Sequence, residues 1–297
     1  MSLQGWIIYN GNLPGNKFLD YAEMLQEAAS RQESNAVIIK NNDLLSLLSV
    51  SNLDILPQQE LPNYVVFTDK DIYLAKQLEY LGIPVFNSAE AIAISDDKIA
   101  TYQELAKINL PIPKTIIAPK IFIEGNFDKK VLEQVIEELK LPMVIKEAFG
   151  SFGEQVYLVN TKEELYKKVN DLGNKPFIFQ EFIATSYGVD IRLQVVGDQV
   201  VAGMKRKSKN DFRANITAGG TMEPHEPSRE EKRLAIAATK AIGADFAGVD
   251  LLFGADSPII CEVNSNAHIR NLLECTEINA ADFIMKYVLR QIAEKVR

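Results

Sequence analysis

Two cysteines, Cys261 and Cys275, are the whole thiol content of this 297-residue chain. A disulfide framework is therefore excluded. Neither thiol has the histidine and acid pattern that activates a nucleophile, so both read as small core or near-core residues. A surplus of positive charge is missing too. The net charge is −8, which argues against a nucleic acid or an anionic membrane as partner, since either would need a basic stripe. Long apolar runs are lacking: the longest have strand length, against the roughly 20 residues needed to cross a bilayer. With no basic-then-apolar leader pattern at the N-terminus, a cytoplasmic location is expected. Between Gly5 and Asn87 there is no Gly-x-Gly-x-x-Gly element, which removes the main support for dinucleotide binding.

The length suggests about two domains with room for a sizeable core. Residues 6–9, 36–39, 64–67 and 84–86 read as short apolar strands. Between them Phe18, Tyr21, Leu25 and Ala28 recur at helical spacing, and a second helix over 71–81 ends at Gly82. This rhythm predicts a parallel sheet covered on both faces. Ser95 is the expected N-cap of the next helix, with Asp96 and Asp97 in its first turn. Lys98 opposes the helix dipole there, so it either pairs with those aspartates or helps to hold an anion at the free amides.

Residues 141–146 form a strand ending in Lys146, followed at once by FGSFG at 149–153. Backbone amides of such a glycine turn can approach phosphate oxygens, although hairpin turns use the same residues. A helix over 162–170 and a strand over 176–179 lead into Gln180, Glu181, Phe182 and Ile183. In the strand 189–196, Asp190, Arg192 and Gln194 share one face while Ile191, Leu193 and Val195 share the other. Residues 199–207 are its antiparallel partner, carrying the cation run Lys205, Arg206 and Lys207, with Lys209 and Arg213 beyond. The polar, glycine-containing loop 210–220 is a natural place for function. Two amphipathic helices, 229–242 and 279 onward, complete the pattern.

Potential metal ligands concentrate in GVDLLFGADSPIICEVN, residues 248–264. Two apolar runs flank a turn-forming stretch, and a turn centred on Asp256 sets Asp250 opposite Glu262. Asn264, two residues on, points to the same face. Like charges across a ladder need something positive between them. Two carboxylates and an amide oxygen suit a hard cation shared with substrate phosphates. The same residues also suit a solvated sheet face.

Lys98, Lys146 with its glycine loop, QEFI, VDIRL, DFRAN, AGVDLL and CEVN together resemble the ATP-grasp superfamily, and within it the RimK-type glutamate ligases. The resemblance runs from about Asn87 to the C-terminus. It implies a combined α/β and α+β fold: a preATP-grasp domain with a Rossmann-like parallel sheet over 1–90, then an ATP-grasp domain over 91–297. The latter would have a central lobe at about 91–178 and a C-terminal lobe at about 179–297. By the same resemblance, Lys98 and Lys146 would touch phosphates or adenine, and Gln180, Glu181, Phe182 and Ile183 would hold adenine. Asp190 would contact ribose. Arg206, Arg213 and Asn215 would surround the γ-phosphate and the forming acyl phosphate, and Asp250, Glu262 and Asn264 would bind Mg2+ or Mn2+.

The implied reaction is ATP-dependent addition of glutamate or another amino acid to a carboxylate of a small molecule, peptide or protein, with ADP formed through an acyl phosphate. An ATP-grasp phosphotransferase and a non-catalytic nucleotide-binding protein are the alternatives. Homo-oligomers are compatible with either. The chain departs from the RimK pattern at Ser265–Asn271, where SNAHIRN replaces a small residue followed by Ser-Pro-Gly. That segment would border the acceptor pocket. His268 there either orients substrate or is a satisfied loop histidine, and Arg270 beside it is a candidate for acceptor selection.

Overall fold

The structure, a computed structural model, describes residues 3–50, 52–121, 127–150, 153–214 and 219–295. Among the described residues three sheets of four or five strands follow one another, with a two-stranded hairpin besides. The first contains β1 (Gln4–Tyr9), β2 (Asn35–Lys40), β5 (Tyr64–Phe67) and β6 (Val85–Phe86), all parallel, in the order β2-β1-β5-β6. Alternation along the strands sends Ile7, Tyr64 and Val66 to one face, where they pack with α1 (Lys17–Arg31) and the C-terminal α9 (Ala280–Lys295). Trp6, Ile8, Val65 and Phe67 face α2 (Ile72–Tyr80) and α3 (Ala89–Asp96). Both faces are thus covered, as the βα rhythm predicts. The hairpin of β3 (Leu45–Leu48) and β4 (Leu53–Leu56) was not anticipated. Its strands are only four residues long and leave leucines such as Leu48 exposed, so burial imprints little pattern on them.

A second sheet, β7-β10-β8-β9, is antiparallel: β7 (Thr115–Ile117), β8 (Met143–Glu147), β9 (Val156–Val159) and β10 (Phe177–Glu181). Phe177 and Phe179 pack in its core with apolar stripes of α5 (Lys129–Leu139) and α6 (Lys162–Leu172). The third sheet is also antiparallel, ordered β13-β12-β11-β14-β15. It comprises β11 (Val189–Val196), β12 (Gln199–Lys207), β13 (Thr221–Pro224), β14 (Phe246–Phe253) and β15 (Pro258–Asn264). Ile191, Leu193, Val249, Leu251 and Ile260 are buried beneath α7 (Arg229–Ala241) and α4 (Lys98–Lys107). Burying such side chains contributes about 1.5–3 kcal/mol each. A one-residue slip would expose the whole set, so the apolar face locks the opposite, polar face in register.

The expected helix start at Ser95 is corrected. Ser88 caps α3, which runs through Ser95 to Asp96, and Asp97 caps α4 by accepting from the Ile99 and Ala100 amides. Ser95 instead ties α3 to β15: its hydroxyl donates to the Val263 carbonyl and accepts from the Ser265 amide. The short α8 (Arg270–Thr276) adds Leu272 to the core shared by the first sheet, the third sheet and α9. Among the described residues no helix is long and apolar enough to cross a membrane.

Candidate active site

Strand register builds the acidic centre. Asp250 on β14 lies opposite Glu262 on β15, with a register shift immediately after Asp250. Arg192 lies opposite Asp250 from β11, and Arg206 on β12 lies opposite Asp190. Arg192 Nε and Nη2 donate to the two Asp250 carboxylate oxygens at 2.7 and 2.7 Å. Arg206 donates twice to Asp190, again at 2.7 and 2.7 Å, and once to Asp250 at 2.8 Å. Asp190, Asp250 and Arg206 are all buried. Burial alone would raise the Asp250 pKa, but Arg192 and Arg206 outweigh it and hold the carboxyl below its ordinary value. The positive charge required beside Asp250 is therefore supplied in part by the protein.

The cation run on β12 does not act as a cluster. Lys205 Nζ lies 5.0 Å from the Phe253 ring centroid and Lys207 pairs with Glu223 at 2.7 Å, whereas Arg206 alone of the three enters the cleft. Strand alternation is the reason. Arg213 is bound to Asp211 and donates to the Gly153 carbonyl, tying loop to loop. Asn215 lies outside the described residues.

Lys146 is buried at the end of β8. Its ammonium donates to the Tyr102 hydroxyl at 3.1 Å and lies 3.7 Å from Cys261 Sγ. Tyr102 donates in turn to the Cys261 carbonyl at 2.6 Å. Burial acts to lower the Lys146 pKa, while Cys261, Tyr102 and Glu262 act to raise it and leave it above its ordinary value. Lys98 donates to the Gly150 carbonyl at 3.1 Å and lies 3.8 Å from Glu262, so its partner is neither Asp96 nor Asp97.

Lys98, Lys146, Gln180, Glu181, Phe182, Ile183, Asp190, Arg206, Arg213, Asp250 and Glu262 all line one cavity of about 120 Å3 between the second and third sheets. Most are already engaged within the protein, among them the two acids assigned to adenine and ribose. Glu181 accepts from the Lys114 amide at 2.7 Å, and the Asp190 carboxylate is held by Arg206. Asn264 lines a second, larger cavity of about 690 Å3, bounded by the first sheet, α1 and Ser265–Asn271. Arg206, Glu262, Gly153 and Gln155 line both cavities, which therefore meet at the acidic centre.

The donor set fits a hard cation shared with phosphate. No group of three or more His, Cys, Asp and Glu side chains suited to a metal occurs among the described residues. Two carboxylates and one amide oxygen instead suit an ion that takes its remaining ligands from substrate and water. Among the described residues Glu262 makes only the 3.8 Å approach to Lys98, and its side chain is 35% exposed. The Asn264 amide nitrogen is buried with no hydrogen-bond partner among the described residues.

His268 packs on Phe18 and Tyr21, with ring centroids 5.1 and 5.7 Å away. Arg270 is bound by Asp20 of α1. Burial, with the charges of Lys17 and Arg192, pushes the imidazole down to about 4 from 6.5. The folded state then binds fewer protons than the unfolded one, so stability is lost as pH falls below the unfolded value. Between pH 7 and pH 5 this group should cost about 2 kcal/mol. Denaturant unfolding of His268→Gln should lack that loss. Equal acid sensitivity in both proteins would mean that His268 titrates normally.

Sequence reasoning missed Tyr102, which has no motif around it. It placed Arg192 on the correct face without its partner, and the alternation of Asp190 with Arg192 was the available signal.

An antiparallel sheet pair clasping a cleft of lysines, arginines and carboxylates, beside a parallel sheet, is the architecture of an ATP-grasp protein. The chain belongs to the RimK-like ATP-grasp family, whose domain model matches residues 95–288. It is 38% identical over 214 residues to an uncharacterized Mycoplasma pneumoniae protein, covering 70% of this chain and 73% of that one. It is 34% identical over 225 residues to a probable alpha-L-glutamate ligase of Shewanella amazonensis, covering 75% of this chain and 72% of that one. The ATP-grasp ligase PsnB, in complex with a minimal precursor variant, Mg and ADP, superposes with a TM-score of 0.70 over 98% of this chain and 99% of that one. Its 18% identity makes this a likeness of fold.

Proposed function

We propose that the protein is an ATP-dependent, ADP-forming ligase that joins a carboxylate to an amine through an acyl phosphate. The observation that carries this reading is the meeting of two cavities at Glu262 and Arg206. A nucleotide in the first would bring its γ-phosphate to the mouth of the second, where a carboxylate can attack it. Lys98 and Lys146 would touch phosphates or adenine, and residues 180–183 would border the adenine. Arg206 and Arg213 stabilise the charge that develops on transfer, with Asn215 assigned beside them by the family pattern. Asp250, Glu262 and Asn264 would hold Mg2+ or Mn2+, which when bound neutralises phosphate charge. The carboxylate oxygen attacks phosphorus and ADP leaves; the amine then attacks the carbonyl carbon and phosphate leaves. The first cavity is smaller than the roughly 300 Å3 of an ordinary ligand site, so a nucleotide would need it wider.

One substrate is read as a small-molecule or peptide carboxylate and the other as an amino acid. Glutamate is the amino acid in the Shewanella relative's name. With ATP, Mg2+ and the correct carboxylate but no amine, hydroxylamine should yield a hydroxamate and ADP, and carboxylate oxygen should appear in the released phosphate. Formation of AMP and pyrophosphate would refute the chemistry. A stable phosphorylated acceptor without hydroxamate would replace the ligase by a phosphotransferase.

A further inference from the structure

The first sheet has a feature that the family motifs do not involve. From β1 the chain passes to β2 on one side, while β5 pairs with β1 on the other. The connections therefore diverge between β1 and β5, and beyond the carboxyl ends of these strands lies the crevice in which open parallel sheets bind ligands. Asn10 follows β1 directly and Asp69 follows β5 by two residues. Both line the larger cavity.

Asp69 is only 6% exposed. The Asn10 amide donates to both of its carboxylate oxygens, at 3.1 and 3.1 Å. No lysine, arginine or histidine among the described residues forms an ion pair with it, and Lys70 beside it pairs with Asp96. Burial raises the Asp69 pKa against the hydrogen bonds it accepts from Asn10 and the Lys70 and Asp71 amides, none of which carries the positive charge that Asp250 receives. Asn266 donates to the Asp69 carbonyl at 2.6 Å, and the Asn266 Oδ1 is buried without a hydrogen-bond partner among the described residues. Asp69 and Asn266 thus bring two acceptor side chains to the lining of the cavity, and Arg192 and Asn264, in the same lining, bring donors.

We propose that Asp69 and Asn266 form a subsite for the ammonium group of a zwitterionic amino acid, whose carboxylate points toward Arg192 and Asn264. The proposal rests on the ligase reading and adds to it which part of the first sheet recognises substrate and by what charge. Asn10 is a positioning residue that orients the carboxylate, and Asn266 supplies the second acceptor.

The test is calorimetric binding of the free L-amino acids and of the matching 2-hydroxy acids, with ADP and Mg2+ present. The wild type should bind at least one amino acid about 10- to 100-fold more tightly than its hydroxy acid, the size of a charge-assisted contact. In Asp69→Asn that preference should vanish while ADP affinity is unchanged, the latter also reporting an intact fold. Asn10→Ala, which introduces no new group near the carboxylate, should weaken the amino acid several-fold and serves if Asp69→Asn does not fold. Absence of any amino-acid binding to the wild type, or an undiminished preference in Asp69→Asn, overturns the subsite. The ligase reading fails separately. Amino-acid binding that depends on Asp69, without amine-dependent ADP release, would keep the subsite and sink the ligase. Turnover by Asp69→Asn at the wild-type KM for the amino acid would do the reverse.

Discussion

Glu262→Gln should lower Mg2+-dependent ADP release on the order of 10^3-fold, or about 4 kcal/mol of transition-state stabilisation, while far-UV circular dichroism and the melting temperature hold. The size follows from the position of Glu262. Its carboxylate lines both cavities, and its nearest cation, Lys98, is 3.8 Å away. Asp250 already has its charge compensated by two arginines. Of Asp250 and Glu262, Glu262 is therefore the one with charge left to give to a metal–nucleotide complex. Glutamine keeps the shape and removes that charge. Unchanged turnover at saturating Mg2+ would refute the assignment of Glu262 as a ligand.

A second large effect is expected at Lys146. Lys146→Met keeps most of the volume and removes a buried ammonium, and ATP affinity should fall about 100-fold, the upper range for a charge-assisted contact. Tyr102→Phe removes only the hydroxyl that accepts from Lys146 and bonds the Cys261 carbonyl, so its loss should be smaller, about 5-fold. Calorimetry that found wild-type nucleotide affinity in Lys146→Met would reduce Lys146 to a packing partner of Tyr102.

What could be read from the chain was what short-range periodicity carries. Strand 189–196 stands at its expected limits because Asp190, Arg192 and Gln194 alternate there with Ile191, Leu193 and Val195, and 199–207 stands there as the antiparallel partner that follows it. The β3–β4 hairpin escaped because its exposed leucines leave no such contrast. Helix capping misled where two helices abut: Ser95 has the composition of a cap but is spent on β15, and Asp97 caps instead. Of the cations on β12, a count of charge in the sequence could not say that only Arg206 turns inward, although the two-residue period of a strand implies it once the buried face is known.

By itself the sequence determined the parallel first sheet, the polar face of β11 and the pairing of Asp250 with Glu262, since each is set by neighbours a few residues apart or across one turn. Only the tertiary structure decided that Arg192 and Arg206 converge on Asp250, that Tyr102 supports Lys146 and that His268 is held neutral between Phe18 and Tyr21. The contact of Asn266 with Asp69, 197 residues apart, is of the same kind. These contacts depend on which buried faces come together, and that choice follows from burying apolar area across the whole chain, which no local pattern of residues records.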